Sequence, residues 1–246
     1  MGFTIIVIPA EGDSEDTEYW YIKALKRRYK RANVLVYQHD LSEQTKNVFM
    51  GTCMGVRNFV QENNFQKAEI HAQGGLGAHV AYEFLRYCPE KISTVFMIGG
   101  APCEAMTGAA KFFHRWFARA WYHAQWLVPF FADDPNPNDD EIIVKIKVSS
   151  TATMQENPIA YRNQLLYIGY WSPEKTWKVP TGCRVFYIPN GETVRSKLRD
   201  NTYDDQKAKD VWSQHGVLIT RQPRNYFSFY SLMPAQELFT VMGEVR

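Results

Sequence analysis

Between Ala68 and Pro102 the chain reads AEIHAQGGLGAHVAYEFLRYCPEKISTVFMIGGAP, which is strand, glycine turn, helix and strand in immediate succession. Glu69-Ile70-His71-Ala72 suits a short buried strand. The glycines after it supply positive φ, which a sharp strand-to-helix turn needs. Gly77, Ala78, Ala81, Phe84, Leu85 and Cys88 then recur at three- and four-residue steps and form one helix face. The first three are small, so this helix can lie close to a sheet. Pro89 ends it. Ile92–Ile98 is β-rich and apolar, as a central strand should be, and Gly99-Gly100 closes it. These features require at least a βαβ crossover.

The flanking sequence extends the alternation. Thr4–Ile8 is an apolar strand, followed by a polar loop over Pro9–Asp16. Tyr19–Tyr29 reads as a helix with a basic outer side, and Ala32–Tyr37 as the next strand. Arg184–Ile188 and Gly216–Thr220 are later strands. The expected fold class is α/β, with a mostly parallel central sheet and helices on both faces. One domain over 1–246 is expected, with an aromatic-rich cap inserted at about 101–175.

Taken together this resembles the α/β-hydrolase superfamily, whose first half commonly runs strand, His-Gly loop, Trp-containing helix, strand, Asp, helix, nucleophile elbow. Trp20 and Asp40 fall where that pattern wants them, while Pro9-Ala10 stands in place of the His-Gly pair. The resemblance implies an elbow of the form G-x-S-x-G at Gln73-Gly74-Gly75-Leu76-Gly77. Gly75 occupies the serine position, and a glycine cannot attack a carbonyl. The acid is expected after a late strand, where Glu192 is either that acid or a solvated turn carboxylate. The histidine is expected after the last strand, yet Arg221–Arg246 contains none. Tyr226 or Phe227 occupies the slot, and neither serves as an imidazole base near neutral pH. Two triad members are thus missing by sequence register. The elbow is similar to that of the N-myc downstream-regulated family, hydrolase-fold proteins regarded as non-enzymatic, in this feature alone.

Other motifs carry less. Gly51-Thr52-Cys53-Met54-Gly55 reads G-x-C-x-G, but it follows Asp40 too closely to leave room for a helix and a strand. Cys53 is expected to pack near the start of a helix. Of the six histidines (39, 71, 79, 114, 123 and 215), none forms an H-x-x-x-H pair, and no C-x-x-C is present, so no metal is expected. His71 and His79 flank the elbow. His71 suits a satisfied core histidine and His79 a helix surface, although either could face the vacated pocket. The glycine turn lacks the Lys-Ser/Thr of a P-loop and the G-x-G-x-x-G spacing, and no cofactor is expected.

A net charge of +2 makes no case for nucleic acid. The most basic run, Lys26–Arg31, sits at a helix end, where it suits the helix dipole. The alternative is a basic patch for a partner. Four cysteines without framework spacing fit a reducing intracellular compartment, and Met1–Ala10 lacks the features of a signal peptide. Lys111–Phe131 is dense in aromatics and should be helical to Pro129, with Phe113, Trp116, Phe117 and Ala120 on one face. It is either a cap helix packed over the pocket, a partner surface, or a membrane-surface helix. The candidate partner residues are Phe113, Arg115, Trp116, Arg119, Trp121 and Trp126. Glu141–Val148 alternates and could form an edge strand.

Three functional readings follow. The leading one is a non-catalytic hydrolase-fold protein serving as an accessory subunit of a multisubunit protein assembly. The second is a binder of an acyl or carboxylate ligand in a pocket of Ala10, Glu11, Gly75, Leu76, Gly77 and His71. The third is a rewired hydrolase using Cys53 or Glu192 with His71 or His215.

Overall fold

The computed structural model describes residues 3–10, 19–39, 48–120, 163–164, 166–189, 204–223 and 235–246. The strands are β1 (Thr4–Ile8), β2 (Asn33–Val36), β3 (Ala68–Gln73), β4 (Ile92–Ile98), β5 (Arg184–Ile188) and β6 (Leu218–Ile219). They form one sheet of order β2-β1-β3-β4-β5-β6, and every pairing is parallel. The helices are α1 (Tyr19–Arg28), α2 (Val48–Glu62), α3 (Gly74–Tyr87), α4 (Gly108–Ala120), α5 (Asp205–Gln214) and α6 (Ala235–Glu244).

Two-residue alternation along the strands divides the core. Ile6, Ile8, Ile70, Ala72, Val95, Met97, Val185 and Tyr187 face α2, α3 and α5. Ile5, Val7, Phe96, Ile98, Phe186 and Ile188 face α1 and α6, where Tyr21, Leu25, Leu238 and Met242 meet them. A sheet covered on both faces needs strands that are apolar on both sides, and TIIVI and ISTVFMI satisfy that. Each fully buried Val, Leu, Ile, Phe or Met side chain among these contributes about 1.5–3 kcal/mol of transfer free energy.

The chain leaves β1 for β2 on one side, then crosses to β3 on the other. The C-terminal ends of β1 and β3 therefore bound the switch point, where open α/β sheets form sites. The turn from β3 to α3 lies there.

The last strand is shorter than Gly216–Thr220. Gly216 has φ 83 and belongs to the turn that ends α5; Leu218 and Ile219 form the strand, and the Thr220 N–H beyond it still donates to the Tyr187 carbonyl of β5 at 3.0 Å. Cys53 lies inside α2, which begins five residues earlier at Val48. Of the insertion, residues 101–120, 163–164 and 166–175 are described. Arg115 Nε donates to the Gly169 carbonyl at 2.9 Å, with its guanidinium 4.3 Å from the Tyr170 ring centre. The Cys103 N–H donates to the Trp171 carbonyl at 2.9 Å. The segment 121–150, with Trp121, Trp126 and the 141–148 alternation, lies outside the described residues, as do Glu11, Asp40, Glu192, Tyr226 and Phe227.

Candidate functional site

The elbow is built by backbone. Gln73 ends β3 in an extended conformation (φ −107, ψ 139), and Gly74 turns the chain at φ 65 into α3. The positive-φ residue of the turn is therefore Gly74, one position before the Gly75 that sequence register aligns with the serine. The sequence could not choose between two adjacent glycines. The structure starts the helix at Gly74, which leaves Gly75 buried in its first turn. Neither position carries a side chain.

The turn is tightly enclosed. Trp212 Nε1 donates to the Gly100 carbonyl at 2.9 Å, and Gly100 itself lies against Gly74 and Ala78. Gly77 packs on the Ile8 and Pro9 carbonyls. Ala10, Gly75, Leu76 and Gly77, four of the six pocket candidates, are buried. His71 does not join them. Its side chain lies on the other face of the sheet, beside Tyr21 of α1 and Phe96 of β4. Tyr21 Oη donates to His71 Nδ1 at 2.6 Å, and His71 Nε2 donates to Glu69 Oε1 at 2.7 Å. Arg246 pairs with Glu69 and also bonds Tyr29. Odd-numbered positions of β3 face α1 and α6, so His71 cannot line a pocket over α3.

On the α3 face a second polar chain is present. His79, assigned to a helix surface by sequence, is fully buried because Tyr167 and Trp171 pack over it. Its ring is bonded to Tyr167 Oη, lies 3.3 Å from Glu83 Oε1, and meets Trp171 at 5.0 Å between ring centres. Cys53 Sγ donates to Glu83 Oε2 at 3.2 Å, and Arg86 bridges Glu83 and Glu174. Glu83 and Tyr167 were not among the sequence candidates. The i, i+4 spacing of His79 and Glu83 was the one available signal.

Electrostatics fix the protonation states. Burial pushes His79 below its ordinary value, although Glu83 favours its charged form. Burial opposes ionisation of Glu83, but the His79 and Cys53 bonds and Arg86 hold its carboxyl below the usual range. The Cys53 thiol is pushed up to about 11, by burial and then by Glu83, so it is not a thiolate near neutral pH. Cys53 touches neither His71 nor His215. His215 donates through Nδ1 to the Trp177 carbonyl at 2.8 Å. The rewired pairings of Cys53 with these histidines are thus not assembled. Among the described residues, no three His, Cys, Asp or Glu side chains gather to hold a metal.

Acid should weaken the fold. His39 donates through Nε2 to the Pro9 carbonyl at 2.8 Å, and burial lowers it to about 4. His71 and His79 are lowered too, chiefly by burial. Unfolded histidines titrate near their ordinary value of about 6.5, so between there and about 4 the unfolded chain binds more protons. Stability is therefore full above about 6.5 and falls as pH drops through this window. His39 alone should account for about 1–2 kcal/mol, discounted for its partly exposed ring. Urea midpoints at several pH values should decline in that range, with a shallower slope in His39→Asn. A flat midpoint would contradict the assignment.

The partner-surface candidates divide. Arg115 is partly buried and engaged with Gly169 and Tyr170. Trp116 is 60% exposed and stacks on Phe112, itself 68% exposed, with ring centres 6.3 Å apart. The side chains of Phe113 and Arg119 lie outside the described residues. No helix among the described residues is long and apolar enough to cross a membrane.

No protein-family profile and no curated protein matches the sequence. Solved structures do match in shape. A carboxylesterase of the thaumarchaeon Nitrososphaera gargenis superposes with a TM-score of 0.63 at 14% identity, covering 99% of this chain and 90% of that one. The carboxylesterase CesB of Bacillus subtilis gives 0.64 at 12%, covering 98% and 84%. The epoxide hydrolase CorEH gives 0.64 at 13%, covering 100% and 93%. Strand order, all-parallel pairing, the switch-point elbow and these superpositions agree that the chain has the α/β-hydrolase fold.

Proposed function

We propose that this chain is a non-catalytic α/β-hydrolase-fold protein that serves as an interaction subunit of a larger protein assembly. The observation that carries the reading is the positive-φ turn residue, Gly74, followed by the buried Gly75, neither with a side chain. Nucleophilic acyl transfer needs a side-chain nucleophile held next to a base, and this turn supplies neither atom. Cys53 is held as a thiol, raised to about 11 and bonded to the Glu83 carboxylate rather than to an imidazole. The esterases and the epoxide hydrolase that share the fold speak to architecture alone, since one fold hosts many functions. Exposure of Phe112 and Trp116 supports the interaction role, because stacked aromatics on a helix are common binding anchors. Binding of an acyl or carboxylate ligand is the second reading, favoured by the burial of Ala10 and Leu76 around the turn.

The test is the native mass of the endogenous protein. A discrete assembly far above 28.6 kDa is expected. Substituting Phe112 and Trp116 by serine should release the chain from it without lowering thermal stability. A monomer or dimer, unchanged by those substitutions, would contradict the subunit role.

A further inference from the structure

We propose that the groove between β2 and α2 receives an extended, acidic peptide segment of a partner protein as an added strand of the sheet. Among the described residues β2 is one of the two edge strands of the sheet, β6 being the other. The Asn33 and Tyr37 N–H groups donate to the Phe3 and Val7 carbonyls, so alternate residues of β2 bond β1. By the same alternation, the N–H and C=O of Val34 and Val36 point away from the sheet. They meet no hydrogen-bonding partner among the described residues. The strand NVLV carries neither a proline nor a charge to protect this edge, and none of its four residues is fully buried.

The space beside that edge is shaped for a strand. A groove of about 450 Å³ has residues 34–38 along one side. Gly55, Asn58, Phe59 and Glu62, at positions i, i+3, i+4 and i+7 of α2, form the other together with Asn63 just past the helix end. An open strand edge facing one side of a helix is the geometry in which peptides bind by strand addition. The main chain of Val34 and Val36 supplies the pairing, while Leu35, Phe59 and the two asparagines meet alternate side chains.

Charge selects the occupant. Lys26 lines the groove. Arg28, Lys30 and Arg31 line an adjoining hollow of about 380 Å³ where the chain enters β2. Lys26, Arg27, Arg28, Lys30 and Arg31 are all exposed, and none has a carboxylate partner among the described residues. One acid, Glu62, lines the groove with Lys26. Pairing of β2 with β2 of a second copy would bring two such basic sets together, so like-charge repulsion disfavours self-association here. An acidic strand instead neutralises them. This site is separate from the α4 surface and does not depend on whether the elbow is catalytic.

The test uses the full chain and a labelled, capped heptapeptide alternating glutamate and valine, with a lysine–valine peptide as control. Saturable binding in fluorescence anisotropy is expected, together with slowed amide exchange at Val34 and Val36. Raising salt from about 0.05 to about 0.5 M should weaken binding strongly. The pair Lys26→Glu and Lys30→Glu, both on the surface, should weaken it about tenfold or more with folding unchanged. Val36→Pro, which removes an outward N–H but no β1 bond, should abolish it. No binding by the folded protein, equal binding of the lysine peptide, or protection confined to other amides would each overturn the proposal.

Discussion

Replacing Trp212 by alanine is expected to lower unfolding free energy by about 3–5 kcal/mol, the usual range for deleting a large buried aromatic. Trp212 is fully buried. It packs on Trp171, Tyr187 and His215 at 6.0, 6.5 and 6.4 Å between ring centres. It also donates its indole N–H to Gly100, directly behind the elbow. The substitution therefore opens a cavity and leaves a buried carbonyl without its donor. Trp212→Phe keeps most of the packing and should cost about 1–3 kcal/mol from the carbonyl alone. Urea unfolding measures both. An alanine variant with an unchanged midpoint would show that α5 is not anchored to the elbow as described.

The second large effect is Gly100→Ala. A Cβ at Gly100 would stand 2.6 Å from the Gly74 carbonyl oxygen and 2.5 Å from the Ala78 Cβ, and neither is the mobile end of a side chain. Backbone must move, and overpacking of this kind costs about 1–3 kcal/mol or somewhat more. The shift falls on the turn itself, so amide signals of residues 74–78 should move with the loss of stability. Gly108→Ala is the matched control. Its Cβ would meet nothing within 4 Å, and alanine is the better helix former at the start of α4. Equal stability of the two variants would contradict the close approach of β4 to the elbow.

These two positions show where the sequence is informative. β1, β4 and β5 were legible to the residue, because TIIVI, ISTVFMI and RVFYI are mostly apolar runs that stop at Pro9, Gly99 and Pro189. The glycine turn was legible as a turn, but its positive-φ residue was not, since Gly74 and Gly75 are chemically identical. His79 was misassigned because helix periodicity describes one buried face. α3 is buried from Gly75 through Leu85, and Tyr167 and Trp171, distant in sequence, pack over His79. Trp116 was grouped with Phe113 and Phe117 by spacing, yet it faces solvent against Phe112. Spacing fixes which residues share a face, not what covers that face. The polar chain from Cys53 through Glu83 and His79 to Tyr167 joins two helices and the insertion, so no local pattern announces it.

The central claim concerns the elbow, and the direct measurement is hydrolysis of short- and long-chain acyl esters and thioesters, with intact mass after treatment with a fluorophosphonate. The account predicts no turnover above the uncatalysed rate and no covalent adduct, because Gly74 and Gly75 offer no nucleophilic atom. Turnover abolished by a single substitution at His79, Cys53 or the 73–77 turn, or a stoichiometric adduct on the folded protein, would contradict it.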